Sequence, residues 1–284
     1  MDPPQHGPSS PLNRARRVIG TGLSFALFGL ACLLFGFTVF PLACLTTRDP
    51  DTARRRAQWI VHRWFRFFAR FMAVTGIMRY EIRGAERLRR PGQLIIANHP
   101  SLIDVVLLIA HIPEVDCIVK RQIFDNPFMR WPALWAGYIR HDTPEQLIAD
   151  CGRVLKQGHS LLVFPEGTRS VPGQPIHMTH GAARIALESG ANILPVTITC
   201  EPPMLIKNVP WYRVPARAGH YVLEVGEAYS AAPFLADAGG SVTIAARRLT
   251  RHWQSYFSAP RNIVAGPLAS RPAHPQYSSH RAVP

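Results

Sequence analysis

Residues 94–106, LIIANHPSLIDVV, place polar side chains between two apolar runs, and the carboxylate of Asp104 follows the imidazole of His99 by five residues. Two residues five apart in one regular helix project about 140° from each other, at about 100° per residue. His99 and Asp104 can therefore meet only if His99 lies before a helix and Asp104 in its early turns. A carboxylate that orients an imidazole makes the histidine an effective general base for a hydroxyl. The pattern is short, and a helix-capping pair without chemistry also fits it.

A second polar block, FPEGTRS at residues 164–170, follows an apolar run and carries Glu166, Gly167, Thr168 and Arg169. Ligands of α/β domains gather at such strand ends. Gly167 permits close approach of a ligand to the backbone, and Arg169 offers a planar fork that suits phosphate oxygens. Read from its residues alone, the block is either an anion-binding turn or a polar turn with an arginine in a surface ion pair.

Short apolar runs alternate with helical patterns from about residue 80 onward. Strands are predicted at 93–97, 116–119, 160–164, 193–199 and 221–225, and helices at 101–111, 127–136, 144–157 and 180–190. This alternation predicts an α/β domain with a mixed, mostly parallel sheet flanked by helices. Pro100 suits the first turn of the helix at 101–111, and the free amides of a turn opened by Pro100 and Ser101 are expected to stabilise a nearby anion.

The N-terminal part of the chain has a different composition. No charged residue lies between Arg17 and Arg48, and this run is long enough to enter a bilayer. A full membrane span and a helix that is interrupted near Pro41 and re-enters the same face both fit the sequence, because arginines flank the run on both sides.

Residues 51–80 follow with aromatic and arginine side chains at helical spacing, namely Trp64, Phe67, Phe68 and Phe71 beside Arg63, Arg66 and Arg70. This pattern is typical of a helix that lies in the membrane interface, with its arginines at the lipid phosphates. An amphipathic helix packed on the domain also fits, and the two interpretations are compatible.

The composition limits the partners and the chemistry. A formal net charge of +14 indicates a polyanionic partner, which is nucleic acid, an anionic membrane or a phosphorylated substrate. The five cysteines are far apart, so neither a zinc site nor a disulfide framework is predicted. His177 and His180, with His99 and His111, lack the spacing of a metal site, and no G-x-S-x-G motif of a hydrolase is present. A membrane-tethered basic binding protein without catalysis would explain the charge but not the two polar blocks.

Taken together, the blocks resemble the glycerolipid acyltransferases, specifically the 1-acylglycerol-3-phosphate (lysophosphatidic acid) acyltransferase family. NHPSLID resembles the N-H-x-x-x-x-D block of that family, and FPEGTRS resembles its acceptor-binding block. GAARIALESGANILPVTI is similar to the stretch around the fourth block of the family, and VKRQIF and WAGYIRHDTPE stand where the second block is expected. An arginine of that second block often falls where this chain has Thr143. The resemblance covers roughly residues 80–225.

The resemblance implies a mechanism and a set of roles. His99, held by Asp104, removes a proton from an acceptor hydroxyl, which attacks the thioester of acyl-CoA or of an acyl-carrier protein. No metal or other cofactor is expected. The implied substrate-binding residues, which would hold the phosphate of the acceptor, are Glu166, Gly167, Thr168, Arg169, Arg140 and Lys120.

The implied acceptor is a lysophospholipid, namely 1-acylglycerol-3-phosphate, which would give phosphatidic acid. A glycolipid or another specialised lipid is the alternative acceptor. The expected partners are membrane lipids and the acyl carrier, not nucleic acid. The expected location is a bacterial inner membrane, with the catalytic domain facing the cytoplasm.

The predicted organisation has four parts. Residues 1–13 are expected to be disordered, residues 14–78 to form a membrane-associated helical pair, residues 79–257 to form the acyltransferase domain, and residues 258–284 to form a flexible tail.

Overall fold

The computed structural model of this chain describes residues 11–259. Its strands are β1 (Met78–Arg83), β2 (Gln93–Ala97), β3 (Asp116–Lys120), β4 (Ile139–His141), β5 (Leu161–Val163), β6 (Asn192–Glu201) and β7 (Gly219–Val225). They form one sheet in the order β1-β7-β6-β2-β5-β3-β4. Neighbouring strands run parallel except for β6 and β7, which are antiparallel. The prediction of a mixed, mostly parallel sheet is confirmed, and the carboxyl ends of β2, β3, β4, β5 and β6 meet at one edge.

Helices cover both faces of the sheet because its central strands are apolar on both sides. In β2, Ile95 and Ala97 face one hydrophobic core, whereas Leu94 and Ile96 face the other. The helices that follow β2 in the chain are α4 (Asp104–Ile109), α5 (Arg121–Asp125), α6 (Arg130–Trp135), α7 (Pro144–Lys156), α8 (His180–Ser189), α9 (Ala232–Asp237) and α10 (Val242–Ser258). The second core lies beneath α7, α8 and α10.

The N-terminal residues form a helical hairpin. Helix α1 (Pro11–Leu34) continues through a π-helical stretch, Phe35–Val39, into α2 (Phe40–Cys44), and α3 (Pro50–Val74) follows after a short turn. The continuous helix Leu12–Cys44 is long and apolar enough to cross a membrane, and its most apolar stretch of 18 residues has a mean hydropathy of 2.3. The chain remains helical through Pro41 and reverses only after Cys44. Of the two alternatives drawn from the sequence, an interruption at Pro41 is not observed, and the only change in helical geometry within Leu12–Cys44 is the π-helical stretch Phe35–Val39.

Helix α3 belongs to the same hydrophobic core as the sheet. Phe68, Ala69 and Met72 are buried beside residues of β2 and α4. Phe28 of α1 packs against Phe68, with ring centroids 5.2 Å apart. Burial of one large apolar side chain contributes about 1.5–3 kcal/mol, so α3 cannot be removed without opening the core. The interpretation of residues 51–80 as an amphipathic helix packed on the domain is therefore confirmed. Phe67, which stacks with Trp64 in the same helix, is 53% exposed, and contact of α3 with a membrane stays a prediction.

Several boundaries differ from those predicted. Helix α4 begins at Asp104 rather than at residue 101, and α1 begins at Pro11, so it includes the last three residues of the stretch expected to be disordered. Strands β1 and β4 and helices α5, α9 and α10 were not predicted. The expected disorder of residues 1–10 and 260–284 lies outside the described residues.

Candidate active site

The imidazole of His99 and the carboxylate of Asp104 form a close pair. His99 follows the end of β2, Asp104 begins α4, and His99 Nδ1 lies 2.9 Å from Asp104 Oδ2. The Asp104 side chain is fully buried, whereas that of His99 is 15% exposed. Burial raises the pKa of Asp104, and hydrogen bonds from His99 and from the Ser101 amide oppose that shift. With Nδ1–H donated to the carboxylate, the other ring nitrogen, Nε2, is the one left to accept a proton.

The backbone of His99 is held by the FPEGTRS block. Its N–H donates to Glu166 Oε1 at 2.8 Å, and its carbonyl accepts from the Ser170 N–H at 2.8 Å. The Ser170 hydroxyl contacts both carboxylate oxygens of Glu166, at 2.9 and 2.8 Å. Burial raises the pKa of Glu166, and the hydrogen bonds from His99 and Ser170 oppose that shift. The carboxylate of Glu166 thus joins the two polar blocks within the protein.

Two further contacts fix the loop that carries His99. The ring of Phe164 stacks on the imidazole, with centroids 4.2 Å apart and planes at 26°. The buried Asn98 side chain forms two hydrogen bonds with the backbone of Ile198 in β6, at 2.8 and 2.7 Å. The imidazole is therefore oriented by a carboxylate, an aromatic face and an anchored backbone.

The amides after Pro100 do not form a free anion site. The Ser101 N–H donates to Asp104 Oδ2 at 2.7 Å, and the Leu102 N–H donates to the carbonyl of Leu205 at 3.1 Å. The prediction of free amides in a helical turn opened by Pro100 and Ser101 is therefore wrong. Because the Ser101 N–H donates to the Asp104 carboxylate, the backbone after Pro100 forms a tight bend, and the helix begins only at Asp104.

The turn after β5 is open to solvent. The Gly167 N–H donates to the Phe164 carbonyl at 2.9 Å. The φ angle of Gly167 is +64°, and a Cβ built there would meet no atom within 4 Å, so a ligand can approach the backbone closely. Thr168 and Arg169 are half-buried beside it. Arg169 Nη1 donates to the Leu205 carbonyl at 3.1 Å, and a guanidinium carries five N–H donors in total.

Lys120 and Arg140 lie at the same edge of the sheet but farther along it. Lys120 is exposed at the end of β3. Arg140 in β4 pairs with Asp142 at 2.6 Å and lies over the ring of Phe124. Strand β4 is three strand spacings from β2, which is about 14 Å at about 4.8 Å per strand. The structure thus brings His99, Asp104, Glu166 and Arg169 together at two adjacent strand ends and places Lys120 and Arg140 beyond them.

Arg140 also lines a surface cavity of about 420 Å³ with Phe124, Asp125, Arg130 and Leu134. Thr143, where the family resemblance leads one to expect an arginine, instead caps α7 by accepting from the Gln146 N–H at 3.4 Å. In the segment WAGYIRHDTPE, which stands for the second block of the family, the arginine is therefore at residue 140 and not at residue 143.

Sequence reasoning gave no role to Phe164, Ser170 or Leu205. Phe164 and Ser170 belong to the FPEGTRS block, so their place in that block was the available signal. The contribution of Leu205 comes from its backbone carbonyl, which no sequence pattern reports. Within residues 11–259, no group of three or more His, Cys, Asp or Glu side chains has the arrangement of a metal site.

The chain is similar in sequence to known acyltransferases. Residues 79–199 match the protein-family model Acyltransferase. The 1-acyl-sn-glycerol-3-phosphate acyltransferase of Pseudomonas aeruginosa is 28% identical over 186 residues, which cover 63% of this chain and 70% of that protein. The lyso-ornithine lipid O-acyltransferase of the same organism is 30% identical over 181 residues, which cover 62% of this chain and 67% of that protein. Two further 1-acyl-sn-glycerol-3-phosphate acyltransferases, from Brassica napus and Chlamydomonas reinhardtii, match this chain over about half of their own length.

The fold also resembles a solved structure. The crystal structure of the 1-acyl-sn-glycerophosphate (LPA) acyltransferase PlsC from Thermotoga maritima matches 87% of this chain and 100% of that chain, with a TM-score of 0.64 and 19% sequence identity. On the family match, the relatives and the shared fold, the chain belongs to the glycerolipid acyltransferases, a family of O-acyltransferases.

Proposed function

We propose that this protein transfers a fatty acyl group from acyl-CoA or an acyl-carrier protein to the free hydroxyl of 1-acylglycerol-3-phosphate, which gives phosphatidic acid. The observation that carries the proposal is the 2.9 Å contact between His99 Nδ1 and Asp104 Oδ2, on a backbone held by Glu166 and Ser170. Relatives whose names state this reaction support the choice of acceptor.

The proposed reaction needs one base and no covalent acyl-enzyme. Nε2 of His99 takes the proton of the acceptor hydroxyl while its oxygen forms a bond to the thioester carbonyl carbon. The tetrahedral intermediate then expels the thiolate, and the imidazolium returns its proton to the sulfur. Asp104 stabilises the imidazolium between these steps. The products are the acylated lipid and a free thiol.

Glu166 acts in this scheme as a positioning residue, because its oxygens contact the His99 N–H and the Ser170 hydroxyl. Glu166→Ala is expected to lower kcat by about tenfold, since it leaves the buried His99 N–H without a partner at a cost of about 1–3 kcal/mol. Glu166→Gln retains an acceptor oxygen and is expected to retain most of the activity. Steady-state thiol release from both variants tests this role. An equal and large loss in both would instead assign the negative charge itself to the reaction.

The protein is proposed to act at a membrane. The continuous helix Leu12–Cys44 is apolar, and only 28% of its most apolar stretch of 18 residues is buried inside the protein. Within the described residues all five cysteines are free, as is usual in a reducing compartment. We place the enzyme at a bacterial inner membrane, with the sheet domain facing the cytoplasm.

Arg169 is proposed to hold the phosphate of the acceptor, since it belongs to the open turn after β5, the strand that pairs with β2. Arg169→Lys keeps the charge but loses the planar fork. A lost charge-assisted hydrogen bond costs about 1.5–3 kcal/mol, so the KM for lysophosphatidate is expected to rise on the order of tenfold or more while the KM for the acyl donor changes little. The measurement is one titration with lysophosphatidate and one with the corresponding monoacylglycerol, for both proteins.

Arg140→Lys is the matched control for that experiment. Arg140 lies three strand spacings from β2 and is paired with Asp142, so this change is expected to leave the preference for the phosphorylated acceptor nearly intact. If the wild type does not distinguish the two acceptors, the lysophosphatidate assignment fails while the acyl-transfer chemistry remains.

A specialised lipid is the second candidate acceptor. The relative named as a lyso-ornithine lipid O-acyltransferase supports it, because that name describes an acceptor built on an amino acid rather than on glycerol phosphate. Thr143, where many members of the family are expected to have an arginine, also favours it. Thiol release with a lyso-ornithine lipid and with lysophosphatidate, compared at equal concentration in the same vesicles, decides between the two acceptors.

A further inference from the structure

The segment between β6 and β7, residues 202–218, contacts both polar blocks of the site; we refer to it as the 202–218 loop. The carbonyl of Met204 accepts from the Ser101 hydroxyl at 2.9 Å. The carbonyl of Leu205 accepts from the Leu102 N–H and from Arg169, each at 3.1 Å. Leu205 has a φ angle of +52°, in the left-handed region that a leucine rarely adopts. This unfavourable backbone conformation therefore occurs at the residue whose carbonyl contacts both polar blocks.

The other half of this loop is fixed to the first helix. Arg17 of α1 donates to the carbonyl of Ala216 at 2.6 Å. The ring of Trp211 packs against Phe25, with centroids 5.9 Å apart, and lies over Gly22, where an added Cβ would come within 3.1 Å of it. The 202–218 loop therefore connects the apolar helix to the site.

The tip of the loop is exposed and amphipathic. Trp211 is 44% exposed and Tyr212 is 54% exposed, and the exposed Arg213 and Arg217 follow them. Ile19 of α1, which is 63% exposed, lies on the same side of the helix as Gly22, since the two are three residues apart. The exposed aromatic rings adjoin an apolar helical face, and two exposed arginines follow in the same loop; we call these residues together the Trp211 surface.

The composition of the Trp211 surface favours a lipid bilayer over a protein partner. Tryptophan and tyrosine concentrate at the level of the lipid headgroups, because each ring has an apolar body and a polar group. Arginine at that level pairs with lipid phosphates. The surface is continuous with a helix whose length and composition suit a membrane.

We propose that the 202–218 loop is a second bilayer contact, in which Trp211 and Tyr212 lie among the headgroups of an anionic leaflet beside α1. Leu205 in the same loop contacts Leu102 and Arg169. The bilayer contact of the loop therefore holds the entrance of the site, which we call its mouth, at the depth where the headgroup of the acceptor lies. Leu102, which is 46% exposed, marks that mouth. This inference rests on the proposed function for the identity of the acceptor, but not for the bilayer contact itself.

The bilayer contact is tested with the full-length protein on vesicles that contain phosphatidylcholine and phosphatidylglycerol with brominated acyl chains, which quench nearby tryptophan. The quenched part of the emission is expected to fall in Trp211→Phe. It is expected to stay unchanged in Trp253→Phe, which changes a fully buried tryptophan in α10. Equal quenching of the wild type and Trp211→Phe would overturn the proposal.

A charge-reversed variant tests the same contact without altering the packed ring of Trp211. The double change Arg213→Glu and Arg217→Glu is expected to weaken binding to anionic vesicles by about tenfold and binding to neutral vesicles much less. Ile244→Ser, at a residue of α10 that is 46% exposed, is the control and is expected to bind as the wild type does. Unchanged binding of the charge-reversed variant to anionic vesicles would contradict the proposal.

The consequence for turnover is tested with Tyr212→Ser in two assays. Turnover of lysophosphatidate in vesicles is expected to fall about tenfold, whereas turnover of a soluble short-chain acceptor is expected to stay the same. A loss in both assays would show that the loop serves the site itself and would overturn the docking role. If the wild type turns over neither acceptor, the proposed function fails, while the quenching experiment still decides the bilayer contact. A concentration-dependent change in oligomeric state in the absence of vesicles, without quenching, would assign the Trp211 surface to a second copy of the chain.

Discussion

His99→Ala is expected to lower kcat for acyl transfer by about 10²–10⁴-fold while the protein stays folded and bound to vesicles. The loss has this size because a general base contributes about 10²–10⁴-fold to a proton-transfer step. The fold should survive because Glu166 and Ser170 contact the backbone of His99, which the change leaves in place. The measurements are steady-state thiol release, circular dichroism and vesicle sedimentation.

His177→Ala is the control for this change. His177 is exposed and lies outside both polar blocks, so its loss is expected to leave turnover nearly normal. Turnover of His99→Ala within a few fold of the wild type would end the assignment of His99 as the base.

Asp104→Asn is expected to have a comparable effect, with a loss of about 10²–10⁴-fold in kcat. The amide has the shape of the carboxylate but carries no charge to stabilise the imidazolium. Its single oxygen must also serve both His99 Nδ1–H and the Ser101 N–H, which share Oδ2 of Asp104 in the native protein. Because burial raises the pKa of Asp104, a neutral side chain is tolerated there, and the fold is expected to be retained.

The pair of measurements that checks this expectation is the thermal unfolding midpoint and the rate of thiol release. A variant with a near-native midpoint and a large loss of rate is the expected result. Retention of more than about a tenth of the native rate would mean that orientation of the imidazole, not the charge of Asp104, is what the site requires.

The sequence predicted the central sheet well because its strands are buried on both faces. In β2, the run LIIA after Gln93 is apolar throughout and is typical of a strand buried on both faces. Strand β4 was not predicted because it has only three residues, of which Ile139 alone is buried. Strand β1 was not predicted because it lies at the edge of the sheet and Met78 alone of its six residues is buried. The start of α4 was misplaced because the Asp104 carboxylate takes the amide of Ser101, a local hydrogen bond that helical periodicity does not report.

The site was predictable to the level of its two blocks. Parallel strands bring their carboxyl ends to one edge, so the approach of HPSLID to FPEGTRS follows from the strand assignments. The hydrogen-bond partner of Glu166 could not be predicted from the sequence. An acidic residue near an arginine suggests a ligand contact, whereas in the structure the carboxylate of Glu166 accepts from the His99 N–H. Lys120 and Arg140 reach the same edge, but their distance from β2 depends on strand order, which the sequence leaves open.

The hairpin shows why hydrophobic pattern alone could not assign α3. Its aromatic residues Trp64, Phe67, Phe68 and Phe71 recur at helical spacing along one broad face of the helix. Phe68 is buried against the sheet domain, whereas Phe67, the next residue, is 53% exposed. The pattern therefore identifies an aromatic face of the helix, but it does not report which of its side chains the rest of the protein buries.

The central claim is that this chain transfers an acyl group to a lipid hydroxyl with His99 as the base. The most direct measurement mixes purified protein, palmitoyl-CoA and vesicles that contain lysophosphatidate, and follows free thiol and lipid products together. The account predicts one phosphatidate formed for each thiol released by the wild type, and a loss of about 10²–10⁴-fold in both for His99→Ala. Thiol release without an acylated lipid, or equal release by both proteins, would contradict it.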